Sequence, residues 1–157
     1  MGVALAEEAR RRGAEVILLA ANLAVPAPYG VEVIPTPTAE SMLDAALALP
    51  DVDISLLAAA VADYRPAEVH GGKRPKDEHV WTVELEATRD IAHSLGERKE
   101  DGVLLVAFGA EHGEEGLARK RLMLETKNAD LVVFNDVGRS DIGFDAGENE
   151  VVLVTRD

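Results

Sequence analysis

Residues 58–76 read AAAVADYRPAEVHGGKRPK and form the most distinctive segment of the chain. Small residues end an apolar run, which lets a ligand approach the backbone closely. Asp63 follows, placed where a carboxylate meets a ligand hydroxyl, an amine or a metal ion. Lys73, Arg74 and Lys76 then crowd into four positions behind two glycines. The functional reading of this cation triplet is a polyanion, most simply a triphosphate, neutralised in a site of reduced dielectric. The competing reading is a solvated loop with surface ion pairs to Asp77 and Glu78, each worth ~0–1 kcal/mol. The segment alone leaves both open.

Lys120 and Lys127 are further candidates. Their spacing of seven is about two helical turns, which puts both on one face or simply on a solvated one. No GxxxxGK[ST] or GxGxxG occurs. Gly109, Gly113 and Gly116 have the wrong spacing for a dinucleotide turn, and Glu111, Glu114 and Glu115 beside them would repel a pyrophosphate, so turn and packing roles are expected. His70, His79, His93 and His112 lack the short spacings of a zinc site. There is no cysteine, which removes thiolate nucleophiles, iron–sulfur clusters and disulfides.

These groups need a scaffold. The 157 residues fit one domain, 1–157, with 47% hydrophobic content and a formal net charge of −13. That charge weighs against nucleic-acid binding. No apolar run is long enough to span a membrane and no signal peptide is evident, so a cytoplasmic protein is expected. Helices are expected over 3–12, 41–49 (capped by Thr38), 89–98 (capped by Thr88) and 111–126. Strands are expected at 15–20, 32–34, 53–60, 80–85, 103–108, 131–134 and 151–154. The run DISLLAAA is nearly continuous in apolar residues, and VLLVAF and LVVF are apolar throughout, as for strands buried on both faces. Alternating strands and helices predict a three-layer Rossmann-like α/β fold with a mostly parallel sheet. Ligands then bind beyond the strand C-termini, at the loops after Ala60, Phe108 and Phe134. Such a fold usually opens with a strand and a glycine-rich turn, whereas here Met1-Gly2 leads straight into a helix. An N-terminally truncated fold is expected, with that strand and turn upstream of residue 1 and an unpaired sheet edge in its place.

Several motifs run in order along the chain: AAAVADYRP at 58–66, K-x-x-K at 73–76, TRDI at 88–91, VAFGAE at 106–111, ARK at 118–120, KNADLVVFND at 127–136 and GFDAGENEVVL at 143–153. On these the chain resembles the phosphopantothenoylcysteine synthetase family of coenzyme A biosynthesis. The resemblance implies a CTP-dependent phosphopantothenate–cysteine ligase acting with Mg²⁺. The 4′-phosphopantothenate carboxylate attacks the α-phosphorus of CTP and pyrophosphate leaves. L-cysteine then attacks the acyl-cytidylate through its amine and CMP leaves. A homodimer is implied, as is a decarboxylase domain fused upstream in the native protein. No flavin is expected on this chain.

Carried over by residue, the resemblance puts Ala59 close to the nucleotide and Asp63 on the CTP–metal unit. Lys73 becomes the catalytic cation that stabilises the triphosphate and the α-phosphoryl transition state. Arg89, Asp90, Ile91 and Ala92 hold CTP through backbone groups, and Phe108 packs against the base. Lys120 and Lys127 match the family's two nucleotide lysines, although they stand seven apart where the family's stand four apart. Asn135 is placed on the substrate. The family's N-x-S-S-G-x-M-G loop and terminal helix have no counterpart here, so a core fragment with weak or no turnover is expected. Two other readings differ in what they bind: a Rossmann-type oxidoreductase domain would take NAD(P), and a non-catalytic remnant would take neither CTP nor phosphopantothenate.

Overall fold

The computed structural model describes residues 1–50, 52–111, 113–136 and 150–156. Helix α1 (Gly2–Arg11) leads into strands β1 (Ile17–Ala20) and β2 (Glu32–Pro35). Helix α2 (Ala39–Ala48) and strand β3 (Ile54–Leu57) follow. A ribbon of β4 (Tyr64–Pro66) and β5 (Leu85–Ala87) comes next, then α3 (Ile91–Arg98), β6 (Leu104–Glu111), α4 (Gly113–Thr126), β7 (Leu131–Asp136) and β8 (Val151–Val154).

The strands pair as β1-β2, as β3-β6-β7-β8 and as the antiparallel ribbon β4-β5. Within the first two groups every pair is parallel except β7–β8. The expected α/β class with a mostly parallel sheet is what forms. Its core lies between α4 and the sheet: Leu124 and Ala129 pack with Ala107, Val132, Phe134 and Val154. Because side chains alternate along a strand, Ala107, Val132 and Phe134 face α4, while Val106, Phe108, Val133 and Asn135 face away from it.

Three expectations need correction. The run at 53–60 is not buried on both faces: Ile54 and Leu56 are 54% and 42% exposed. Their strand pairs only with β6, and among the described residues its other edge, like that of β1, has no strand beside it. The segment 80–85 is not a strand. Pairing begins only at Leu85, opposite the short strand at 64–66. Helix α3 is capped by Asp90, whose carboxylate accepts from His93 N–H at 2.9 Å. Thr88 instead donates its hydroxyl to the Ala62 carbonyl at 2.6 Å. An acidic cap carries a full charge at the positive helix end, and Thr88 is needed to close the ribbon base. Thr38 does cap α2, in a reciprocal box with Ser41.

One charged contact staples the parallel sheet from below. Asp130 accepts from Lys99 Nζ at 2.8 Å and from Leu105 N–H at 2.7 Å, just before β7. Burial pushes its carboxyl up, but the Leu105 N–H, Lys99 and Arg156 outweigh that and hold it below the usual range. A lowered folded-state pKa contributes stability that is present above about pH 3.9, the unfolded value, and lost as pH falls through the folded one. We therefore expect Asp130→Asn to lower stability at pH 7 by ~1–3 kcal/mol in urea titrations, with a smaller acid loss below about pH 4 than the parent chain. Equal parent and variant stability at pH 7 would count against the staple.

Candidate functional site

Parallel pairing aligns the C-terminal ends of β3, β6 and β7 along one rim, and the heads of α3 and α4, which follow β3 and β6 in the chain, lie at that rim too. The head of α1 is there as well, since Gly2 lies against Ala58, a Cβ added to it standing 3.8 Å from the Ala58 Cβ. Ala59 and Asp63 are exposed just beyond β3. Phe108 and Asn135 approach the same rim from the sheet face turned away from α4.

Three groups form at this rim. The first is the ribbon base. Arg65 on β4 donates to Glu40 at the head of α2 (2.8 Å) and to Glu86 on β5 (2.7 Å). Thr88 N–H donates to the Asp63 carbonyl at 2.9 Å. These contacts fix the two ends of a segment whose residues 67–84 are all exposed. Lys73 and Lys76 sit there and, among the described residues, make no hydrogen bond or ion pair. Arg74 differs: it lies over the Trp81 ring at 4.8 Å and pairs with Asp77 at 3.4 Å. The solvated-loop reading therefore holds for Arg74, and Lys73 and Lys76 remain available to an anion.

The second group surrounds Glu111 at the end of β6. It pairs with Arg119 at 2.6 Å and with Lys120 at 3.1 Å, and these two cations hold its carboxyl below the usual range. The Lys120 stem lies on Gly109, where an added Cβ would stand 2.7 Å from Lys120 Cδ. Gly116 is buried against Glu111 and Phe134. Gly109 and Gly116 thus serve packing, as expected from their spacing.

The third group joins α3 to the foot of α4. Lys127 Nζ donates to the Asp90 carboxylate, which also holds His93 N–H. Asp90 is pushed up by burial, yet Lys127 and the His93 N–H outweigh this and leave it lowered. The Lys127 backbone lies against Gly96, and its side chain reaches toward Asp90, which stands six residues earlier, about 9 Å along α3 at 1.5 Å each, and turns its carboxylate to meet it. Arg89 is exposed and Ile91 and Ala92 are half-buried at this helix head. The first backbone N–H groups there have no intrahelical acceptor and suit an anion.

The structure thus brings Asp90 to Lys127 and Glu111 to Lys120. It does not bring Lys73 to either pair, and Lys120 and Lys127 are held by different carboxylates. Sequence reading missed both carboxylate partners, although an acidic N-cap directly after TR at 88–89 was a usable signal. His112 and residues 143–149 of the GFDAGENEVVL run lie outside the described residues. No three His, Asp or Glu side chains cluster as a metal cage among the described residues. A shallow groove of about 520 Å³ lies elsewhere, lined by Arg121, Leu124, Glu125, Asn128, Thr155 and Arg156. Arg156 is already committed there, donating to the carbonyls of Leu124 and Ala129 and to Asn128 Oδ1 at the C-terminal end of α4. No helix among the described residues is long and apolar enough to cross a membrane.

The profile of the DNA/pantothenate metabolism flavoprotein C-terminal domain matches residues 1–157. The coenzyme A biosynthesis bifunctional protein CoaBC of Bacillus subtilis (strain 168) is 42% identical over 160 residues, covering 100% of this chain and 39% of that protein. The protein of the same name from Thermococcus kodakarensis is 40% identical over 163 residues, again covering 39% of its length. The chain therefore spans about two fifths of these relatives. The crystal structure of the C-terminal domain of a CoaBC protein aligns with a TM-score of 0.71 at 35% identity, covering 98% of this chain and 71% of that one. The DNA/pantothenate metabolism flavoprotein from Streptococcus pneumoniae shares the fold, with a TM-score of 0.70 at 19% identity.

The geometry makes a direct prediction about charge. Lys127→Gln should raise the Asp90 carboxyl midpoint, followed by side-chain NMR, and Lys120→Gln should leave Asp90 alone while raising Glu111. The opposite pattern would mean the lysines are paired differently in solution.

Proposed function

The chain belongs to the DNA/pantothenate metabolism flavoprotein C-terminal domain family, and from that premise we propose that it is the phosphopantothenate–cysteine ligase unit of coenzyme A biosynthesis, using CTP. The observation that carries the reading is the set of cations at one sheet rim. Lys120 and Lys127 are each held by a carboxylate near a helix or strand end, and Lys73 and Lys76 rise on a ribbon anchored at that rim. In a chain of net charge −13, such a set suits a triphosphate better than a dinucleotide, for which no glycine fingerprint is present.

In this reading the head of α3, at Arg89–Ala92, receives phosphate or ribose oxygens on its backbone N–H groups. Phe108 offers an apolar surface to the base near the end of β6. Lys120 and Lys127 exchange their carboxylates for phosphate oxygens. Lys73 neutralises charge on the α-phosphoryl oxygens as the phosphopantothenate carboxylate bonds to the α-phosphorus and the bond to the pyrophosphate oxygen breaks. The cysteine amine then bonds to the acyl carbon, loses a proton, and the bond to CMP breaks. Asn135 serves the acyl substrate. The chain has no cysteine, and this sequence of steps needs no enzyme nucleophile, so positioning and charge supply the catalysis.

Asp63 fits a Mg²⁺ that arrives with the triphosphate, because that ion typically takes one or two carboxylates and otherwise phosphate and water. Bound there, Mg²⁺ would neutralise phosphate charge. The reading also includes a cytoplasmic homodimer. The exposed apolar side chains of the ribbon segment, Tyr64, Val69, Val80, Trp81, Val83 and Leu85, favour a second copy as what covers them.

Calorimetry with CTP, ATP and NADPH in Mg²⁺ tests the reading. CTP is expected to bind, NADPH not, and Lys73→Gln should weaken CTP by ~1–3 kcal/mol. Tight NADPH binding, or CTP affinity untouched by Lys73→Gln, would contradict it.

A further inference from the structure

Helix α3 carries a glycine in its second turn, where propensity disfavours one by about 1 kcal/mol relative to alanine. Gly96 is buried, and a Cβ added to it would overlap the Lys127 carbonyl oxygen, standing 2.8 Å from the Lys127 carbonyl carbon and 3.3 Å from Asn128 Cβ. The turn after α4 therefore rests on the helix backbone itself.

Two polar contacts hold it there. Asn128 donates from Nδ2 to the Gly96 carbonyl at 3.0 Å, and His93 Nδ1 lies 3.0 Å from the Thr126 carbonyl. Asn128 adopts φ +47°, a left-handed conformation that asparagine tolerates better than most residues and that turns its amide onto α3. Arg156 fixes Asn128 from the other side through Oδ1 at 3.0 Å. Asp90, His93 and Gly96 recur every third residue and so share one face of α3. Lys127 spans that face from its foot to its head.

We propose that Gly96 is a positioning residue for the nucleotide site: its lack of a side chain lets the turn 126–128 sit directly on α3, which sets the height from which Lys127 reaches Asp90. The proposal rests on Lys127 being a nucleotide cation. A methyl group at 96 must push the turn off the helix, because the obstacle is backbone and not a flexible chain end. Lys127 then meets the helix head off register, and a displacement of about 1 Å is enough to spoil such a contact.

Two readouts on the 157-residue chain test this. Without nucleotide, the Asp90 carboxyl titration by NMR should move up toward its ordinary range in Gly96→Ala, with His93 and Glu97 followed as the other titratable groups on that face. With Mg²⁺ and CTP, Gly96→Ala should weaken binding about tenfold, and adding Lys127→Gln to it should cost little more. Asn128→Gly keeps the backbone conformation and removes the bond to Gly96; it should shift Asp90 the same way by less, and it serves if Gly96→Ala does not fold. A folded Gly96→Ala with an unmoved Asp90, Asn128→Gly without any shift, or fully multiplicative losses in the double variant would overturn the proposal. A parent chain that fails to bind CTP would instead overturn the ligase reading, and the Asp90 titration would still decide the role of Gly96.

Discussion

Asp90 and Lys127 join two helices that the chain visits 37 residues apart, and the candidate site depends on that ion pair. Asp90 also caps α3, so one carboxylate sets where the helix begins and where the lysine ends. Glu111 does the same for Lys120 and Arg119 at the end of β6. In an acid-rich chain these lysines are preset by carboxylates and not left to wander. The pairs are partly exposed, with side-chain exposures of 23% for Lys127 and 45% for Asp90, so each is held weakly enough for a more highly charged anion to replace the carboxylate. On the proposed reading, the protein acids hold the lysines in place until a triphosphate takes over.

The parallel sheet supplies the frame for that arrangement. Its register sends Ala58–Asp63, Phe108–Glu111 and Asn135 toward one rim, and Asp130 staples the opposite side through Lys99 and Leu105. The ribbon is tied down at its base by Arg65 and Thr88, while the residues between stay exposed. On the proposed reading, Lys120 and Lys127, each held by a carboxylate, bind the nucleotide, while Lys73 on the exposed ribbon segment contacts the reacting phosphate.

Much of this frame was legible in the sequence. The unbroken apolar runs at 103–108 and 131–134 mark central strands because burial on both faces leaves no alternation. Thr38 announces its helix by its cap chemistry. The ribbon was harder: 80–85 alternates like a strand, but pairing depends on what lies opposite, and Pro66 and Tyr64 look like turn residues. Ile54 and Leu56 have core composition and yet are exposed, because composition does not tell how many neighbours a strand has. For the site, residue type and order pointed to Asp63, Lys73, Lys120 and Lys127. The partners Asp90 and Glu111, and the role of Gly96, come from contacts between segments far apart in the chain, which spacing along it cannot reveal.

Backbone amide chemical-shift mapping of the 157-residue chain during titration with Mg²⁺ and CTP addresses the central claim most directly. The account predicts the largest changes at Asp63, Lys73, residues 89–92, Phe108, Lys120 and Lys127. Changes confined to the groove of Arg121, Asn128 and Arg156, or none at saturating CTP, would contradict it.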